Sequence, residues 1–280
     1  MRKLIISGGT GYIGRAFYKK FKDKYSIKIL TRNPCKSFHI DELESCDILL
    51  NLAGEKIFPN RWTSRRKKIL SDSRYKHSVE LIQKANDLSI SHYLQASATS
   101  FYSFSEEKIF SEDSDVSFDD NFSQKLVWEW ESALKISTIP TNTVLRLGVV
   151  IGPQSNFILP LKYLYSFCLG GEIAKGQQKI SWVHIDDVIN IIDFLIIKQI
   201  NKSVNVTSPK FINNVEMNKT FSEILKRPAI FNLPEFFYKA LFGECCELLT
   251  KGNNVYPKTL LDEGYRFKYP DFAQALKDSV

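Results

Sequence analysis

The sequence is poor in the groups that staple or anchor a small fold. Its five cysteines (Cys35, Cys46, Cys168, Cys245, Cys246) are an odd number without C-x-x-C spacing, and two are adjacent, which is a poor basis for a disulfide framework. Reduced thiols and a cytoplasmic location are expected. The four histidines (His39, His77, His92, His184) are far apart and none has zinc-ligand spacing, so no metal is expected. No apolar stretch is long enough to span a bilayer, and the run from Leu4 stops at Gly8, too short for a secretory leader, so no membrane partner is expected. No repeat and no Pro/Gly/Ser-rich tract marks an array or a long linker. At 280 residues, 44% of them hydrophobic and 25% charged, the chain is large enough to bury its own core without such aids.

The formal net charge of +7 suits phosphate-bearing ligands, but the excess is scattered. Its densest run, Arg65-Arg66-Lys67-Lys68, lies in a helical pattern with Ile69, Val79 and Ile82 on the other face. That is a solvated helix face, and no nucleic-acid partner is expected.

What the chain does have is alternation. Residues 3–7 read as a buried strand, followed by a helix with Ile13, Phe17 and Phe21 at helical spacing. Strands follow at 26–31, briefly at 38–40 and at 48–53, then a long amphipathic helix over 64–86, a strand at 92–97, a helix over 123–136 and a strand at 143–151. This predicts the α/β class with a Rossmann-type, doubly wound parallel sheet. After Gly152-Pro153 come helices near 157–169 and 187–198, a strand near 204–207, and mostly helices to the end. The expected division is a nucleotide-binding domain over 1–153, joined by a returning segment near 184–207, and a smaller, mainly helical substrate-side region over 154–280. The aromatic tail (Phe236, Phe237, Tyr238, Phe242, Tyr265, Phe267, Tyr269) is expected to form the core of that region.

Directly after the first strand, Gly8-Gly9-Thr10-Gly11-Tyr12-Ile13-Gly14 contains G-x-x-G-x-x-G at the opening of a helix. Gly8 permits the tight turn, Gly11 leaves room for a pyrophosphate to approach the backbone, and Gly14 lets the helix pack close to the sheet. The helix-start amides, at Tyr12 and Ile13, then meet the phosphates. The second strand ends Leu30-Thr31-Arg32-Asn33, with no carboxylate before Asp41 to take the ribose hydroxyls of NAD. Arg32 suits a 2′-phosphate, with Thr31 beside it, so NADP(H) is expected in preference to NAD(H). Because ligands of open α/β sheets lie beyond the carboxyl ends of the strands, 7–14, 31–32, 53–54, 97–102 and 148–152, Gly148 among them, are the candidate site segments.

With Asn51-Leu52-Ala53-Gly54, these features resemble the extended, nucleotide-sugar epimerase-like form of the short-chain dehydrogenase/reductase superfamily. Gly54-Glu55, Arg61-Trp62-Thr63, Ser73-Arg74, 145–152, Gly170-Gly171, Gly176-Gln177 and 181–187 resemble one atypical subgroup of unassigned substrate. Its C-terminal uncharacterised domain is matched by 225–228, 241–244 and 264–270. The resemblance implies cofactor contacts along Asn51, Leu52, Ala53 and Gly54, Asn51 being read also as a hydrogen-bonding brace where the strands diverge. In the superfamily a Tyr-x-x-x-Lys pair handles the proton. Counted from Ser97, which matches the family's serine, those positions hold Phe122 and Leu126, and Lys125 points about 100 degrees away on a helix.

The remaining candidates are Ser97, able to polarise a carbonyl or to satisfy local backbone, and Tyr102, a phenol donor or a packed aromatic. His184 reads as structural. Arg61, Lys68, Arg74 and Arg146 are the cations to watch, Lys68 and Arg74 as cofactor contacts. The reading is an NADP(H)-binding, epimerase/dehydratase-like protein, an oxidoreductase or nucleotide-sugar-type epimerase with a small-molecule, nucleotide-linked substrate. The alternative is a non-catalytic NADP(H)-binding or redox-sensing protein. By analogy with extended members, a homodimer through a helix pair is also implied.

Overall fold

The computed structural model describes residues 1–31 and 40–280. Arg32, Asn33, Cys35 and the third strand expected over Phe38 and His39 lie outside the described residues, and Ile40 opens a short 3-10 turn, Ile40–Glu42.

Six strands make one parallel sheet: β1 (Arg2–Ser7), β2 (Tyr25–Leu30), β3 (Cys46–Asn51), β4 (Ile90–Ala98), β5 (Thr141–Leu147) and β6 (Ser203–Val206), in the order β6-β5-β4-β3-β1-β2. The helices are α1 (Tyr12–Phe21), α2 (Ser64–Ser71), α3 (His77–Asn86), α4 (Phe122–Ser132), α5 (Ile158–Ser166), α6 (Ile185–Lys198), α7 (Asn214–Leu225), α8 (Glu235–Phe242), α9 (Glu247–Thr250), α10 (Lys258–Asp262) and α11 (Phe272–Ser279). Between α2 and α3 the chain winds as a π-helix over Asp72–Lys76, so 64–86 is one interrupted rod.

A parallel sheet must be covered on both faces, which is why its strands are near-continuous apolar runs. Leu4, Ile6, Ile48 and Leu50 pack with Phe17 of α1 and Val188, Ile192 and Leu195 of α6. The alternate residues Ile5, Leu49 and Tyr93 pack with Leu81, Ile82 and Ala85 of α3. The chain turns from β1 to β2 on one side and returns at β3 on the other, so the order reverses about β1. In open sheets of this kind ligands lie beyond the carboxyl ends of the strands at such a reversal, here those of β1 and β3.

Two expectations are corrected. The strand expected over 143–151 breaks at Leu147, and Val149–Ile151 pairs instead with Trp182–His184. The cause is Gly148, where a Cβ would stand 2.7 Å from the carbonyl oxygen of Ser181, while the Val149 amide donates to that same oxygen at 2.8 Å. The aromatic tail is not one core: Phe236 and Phe237 are 73% and 44% exposed on α8, whereas Tyr265 and Phe267 pack under α6. The core beyond the sheet is made of Tyr165, Trp182, Phe221 and Phe272. Among the described residues no helix is long and apolar enough to cross a membrane.

Candidate functional site

The crevice is built from the turn that leaves β1. Gly8 has φ +82°, and a Cβ there would stand 2.6 Å from the carbonyl carbon of Leu52, so this turn lies against the exit of β3. A Cβ on Gly14 would stand 2.6 Å from the Cα of Gly9, which draws α1 tightly onto the turn. The Gly11 amide donates to the Gly8 carbonyl at 3.0 Å and closes the loop. Gly11 also caps α1 without a side-chain bond, and the first turn carries no acidic residue. A helix start of this kind presents donors and a partial positive charge to an anion. Thr31 lies exposed just beyond β2, on the far side of the turn.

The first turn of α3 bolts the two strand ends together. Ser7 Oγ and His77 Nε2 are 2.8 Å apart, and the Leu52 amide donates to the Ser7 carbonyl at 2.8 Å. Asn51 Nδ2 donates to Ser78 Oγ and to Tyr93 Oη, both at 3.0 Å, and its Oδ1 accepts from the Ala53 amide at 3.2 Å. The buried Asn51 therefore shapes the 52–54 segment from below, leaving Leu52 half-buried and Gly54 exposed. Arg74 holds the same segment from above, Nη2 donating to the Glu55 carbonyl at 2.9 Å and the guanidinium lying 5.3 Å from the Trp130 ring centre. Burial lowers its pKa to about 10 against the pull of Glu55.

The cations flagged in the sequence have mostly internal partners. Arg61 donates to the carbonyls of Leu241 and Ala240 at the end of α8. Lys68 stands exposed on α2, 3.1 Å from Asp72. Arg146 forks onto Glu131, Nε to Oε1 and Nη2 to Oε2 at 2.9 Å each.

That fork belongs to a chain of side chains at the carboxyl ends of β4 and β5, where Ser97 and Arg146 are register partners. Ser97 Oγ donates to Glu131 Oε1 at 2.6 Å, Arg146 Nη1 donates to Tyr102 Oη at 3.0 Å, and Tyr102 Oη donates to Asn205 Oδ1 at 2.8 Å. The guanidinium carbon lies 3.4 Å from the Phe101 ring centre. Burial would lower the Arg146 pKa, but the hydrogen bonds and charge of Glu131 raise it above its ordinary value. Burial raises the Tyr102 pKa, partly offset by Arg146, and that phenol is 1% exposed. Ser97 and Tyr102 are thus joined through Glu131 and Arg146, Tyr102 with both its donor and acceptor engaged. Glu131, His77, Ser78 and Asn205 were missed from sequence. Glu131 had a signal, since it stands four residues after the buried Val127 and so on the inward face of α4.

The positions of the missing Tyr and Lys are apolar contacts. Phe122 packs edge-on to Trp62 at 5.0 Å between ring centres, with Lys67 Nζ 4.8 Å above its ring. Leu126 is 1% exposed in a cluster with Trp62, Leu70 and Cys245, so the C-terminal segment sits against this place. Lys125 is exposed on a surface cleft of about 420 Å³ between α2 and α4.

Two distant motifs meet at the buried Asp187. Its Oδ1 accepts from the Lys268 amide at 2.8 Å and from Tyr265 Oη at 3.0 Å, and its Oδ2 accepts from the Tyr269 amide at 2.8 Å. His184 caps α6, its Nδ1 accepting from the Asp186 amide at 3.2 Å, and burial lowers its pKa. Tyr12 Oη donates to the Pro153 carbonyl at 3.0 Å and ties the glycine turn to this region.

Residues 4–207 match the NAD dependent epimerase/dehydratase family, and residues 233–279 match a domain of unknown function, DUF1731. The chain is 32% identical over 300 residues to the epimerase family protein YfhF of Bacillus subtilis (strain 168), covering 99% of this chain and 97% of that protein. It is 30% identical over 294 residues to the epimerase family protein SDR39U1 of Mus musculus, covering 99% of each. The crystal structure of human epimerase family protein SDR39U1 (isoform 2) with NADPH has a TM-score of 0.92 at 28% identity and covers 98% of each chain. MoeE5 in complex with UDP-glucose and NAD shares the fold, with a TM-score of 0.79 at 15% identity, over 99% of this chain and 97% of that one. With the family model matched over residues 4–207 and relatives of 30–32% identity aligned over 97–99% of both chains, this chain belongs to the NAD dependent epimerase/dehydratase family.

Proposed function

We propose that this protein binds NADP(H) across the carboxyl ends of its sheet and acts in the cytoplasm as an oxidoreductase or epimerase on a small, nucleotide-linked molecule. The observation that carries the reading is the glycine turn: a tightly drawn helix start, capped by Gly11, which has among the described residues only the Gly8 carbonyl oxygen, at 3.2 Å, near the place of a Cβ. That cradle fits a pyrophosphate held by the amides at Tyr12, Ile13 and Gly14. Thr31 and Arg32 would take the 2′-phosphate, and Leu52, Ala53 and Gly54, held by Asn51 and Arg74, would line the way to the nicotinamide near Ser97 and Gly148. The human relative with NADPH supports NADP(H) as the ligand. When bound, the cofactor supplies a hydride acceptor or donor.

The protein's own part is to hold and orient polar groups beside that position. The Ser97, Glu131, Arg146 and Tyr102 chain favours an enzyme over a passive binder, because buried charge and directed hydrogen bonds are costly to maintain for packing alone. A second reading, a redox-sensing NADP(H) binder, draws on the apolar Phe122 and Leu126. The free thiols at Cys46, Cys168, Cys245 and Cys246 suit a reducing compartment.

Titration of the full chain with NADPH and NADH tests the proposal, and failure to bind NADPH would refute it. If Arg32 reads the 2′-phosphate, Arg32→Ala weakens NADPH by about 1–3 kcal/mol and leaves NADH nearly unchanged. Equal losses for both cofactors would remove Arg32 from that role.

A further inference from the structure

We propose that Glu131, bonded to Ser97 and forked by Arg146, is the proton acceptor of this site and stands in for the phenol and lysine that Phe122 and Leu126 replace. The inference rests on the preceding reading, in which Ser97 lies beside the nicotinamide.

The geometry sets the direction of each hydrogen bond. Ser97 has one proton, and at 2.6 Å from Glu131 Oε1 it is committed to the carboxylate. Its lone pairs remain, so a substrate group placed against Ser97 Oγ must donate, as a hydroxyl does. Glu131 cannot turn away, because both of its oxygens are held by Arg146, and Arg146 is itself fixed by Phe101 and Tyr102. The Arg146 and Glu131 side chains are 8% and 11% exposed, which leaves Ser97 Oγ as the short path from the carboxylate to a group beyond β4.

The proton step balances within these residues. The substrate O–H bond breaks as a new O–H bond forms on Ser97 Oγ, and the original Ser97 proton passes to Glu131 Oε1, turning carboxylate into carboxylic acid. A bound nicotinamide cofactor would supply the oxidant, as acceptor of the hydride from the carbon that bears that hydroxyl, and in the reducing direction Glu131 and Ser97 would return the protons. Among the described residues, the charged and titratable groups around Glu131 are Arg146 from β5 and Tyr102 from the loop after β4. Glu112 is one hydrogen bond further on, its Oε1 accepting from the Asn205 amide at 2.9 Å, and Arg74 meets α4 over the Trp130 ring.

A charge at Glu131 should be felt by the nicotinamide, which is cationic only when oxidised. The test is the ratio of the NADP+ to the NADPH dissociation constant for the full chain at pH 7, in which the 2′-phosphate contribution cancels. Glu131→Gln should raise that ratio about tenfold, because it removes a negative charge and leaves Arg146 uncompensated beside a cation, and Glu131→Asp should keep it near the wild-type value. Because Glu131→Gln strands a buried guanidinium and can unfold the chain, Glu131→Gln/Arg146→Gln, which removes both charges, serves as a second variant, expected to bring the ratio back toward the wild type. An unchanged ratio in a folded Glu131→Gln, or a ratio in Glu131→Asp as high as in Glu131→Gln, overturns the proposal, because a proton acceptor of this site must lie within reach of the reacting carbon and so of the nicotinamide. If the wild type binds no NADPH at all, the cofactor reading itself has failed, an outcome distinct from an unchanged ratio on a bound cofactor.

Discussion

Gly8 and Gly264 have the same backbone angle, φ +82°, in very different surroundings, and this makes them a matched pair for separating two costs of adding a methyl group. An L-residue in the left-handed region costs about 1–2 kcal/mol from its own Cβ. Gly264 has nothing among the described residues within 4 Å of the Cβ position, so Gly264→Ala should lose only that amount. At Gly8 the Cβ would meet Leu52 C at 2.6 Å, Ala53 N at 2.7 Å and Leu52 O at 2.7 Å, all backbone atoms locked into the exit of β3. Backbone cannot swing aside as a side chain can, so an overpacking cost of about 1–3 kcal/mol adds to the first, for about 2–5 kcal/mol in total. Urea unfolding should place the Gly264→Ala midpoint slightly below the wild type and the Gly8→Ala midpoint well below it, with unchanged slope. NADPH titration should show Gly264→Ala binding normally and Gly8→Ala binding poorly. Indistinguishable stabilities for the two variants would refute the steric argument, and normal NADPH binding by a folded Gly8→Ala would move the cofactor off this turn.

Breaking the buried pair by Arg146→Met should cost about 3–5 kcal/mol, because Glu131 is then stranded, whereas Glu131→Leu/Arg146→Met should recover most of the loss; additive losses in the double-mutant cycle would show that the two do not act as a unit. His92 is fully buried against Thr143, and burial lowers its pKa from 6.5 to about 4. The unfolded chain then binds more protons between those values, so stability should fall by up to about 3 kcal/mol as the pH drops from 6.5 to 4, and His92→Gln should flatten that limb in urea titrations; an identical limb in the variant would assign the acid sensitivity elsewhere.

The legible parts of the chain were those with a short period. The run 4–6, the glycines at 8, 11 and 14 and the helix face of Phe17 and Phe21 lie within 18 residues of one another, and strand, turn and helix there follow from local rules. The vacancy at the Tyr and Lys positions was also legible, since it needs only a count from Ser97 to Phe122 and Leu126. The partners of Ser97 were not, because Glu131 is 34 residues from Ser97 and 15 from Arg146, on different elements. The direction of each arginine was equally hidden: Arg61, Arg74 and Arg146 look alike as cations, and only their neighbours decide whether a guanidinium faces a carbonyl, a carboxylate or a ligand.

By itself, then, the sequence determined the order of the six strands of the parallel sheet, the place of the glycine-rich turn and the apolar residues at 122 and 126, because each is written in residues close together along the chain. The tertiary structure alone decided that β5 stops at Gly148 over Ser181, that Asp187 gathers Tyr265, Lys268 and Tyr269, and that Ser97 is joined to Glu131 and Arg146. Those pairings depend on which strand ends and helix faces are packed together, and a buried charge takes its role from the partner that packing brings to it.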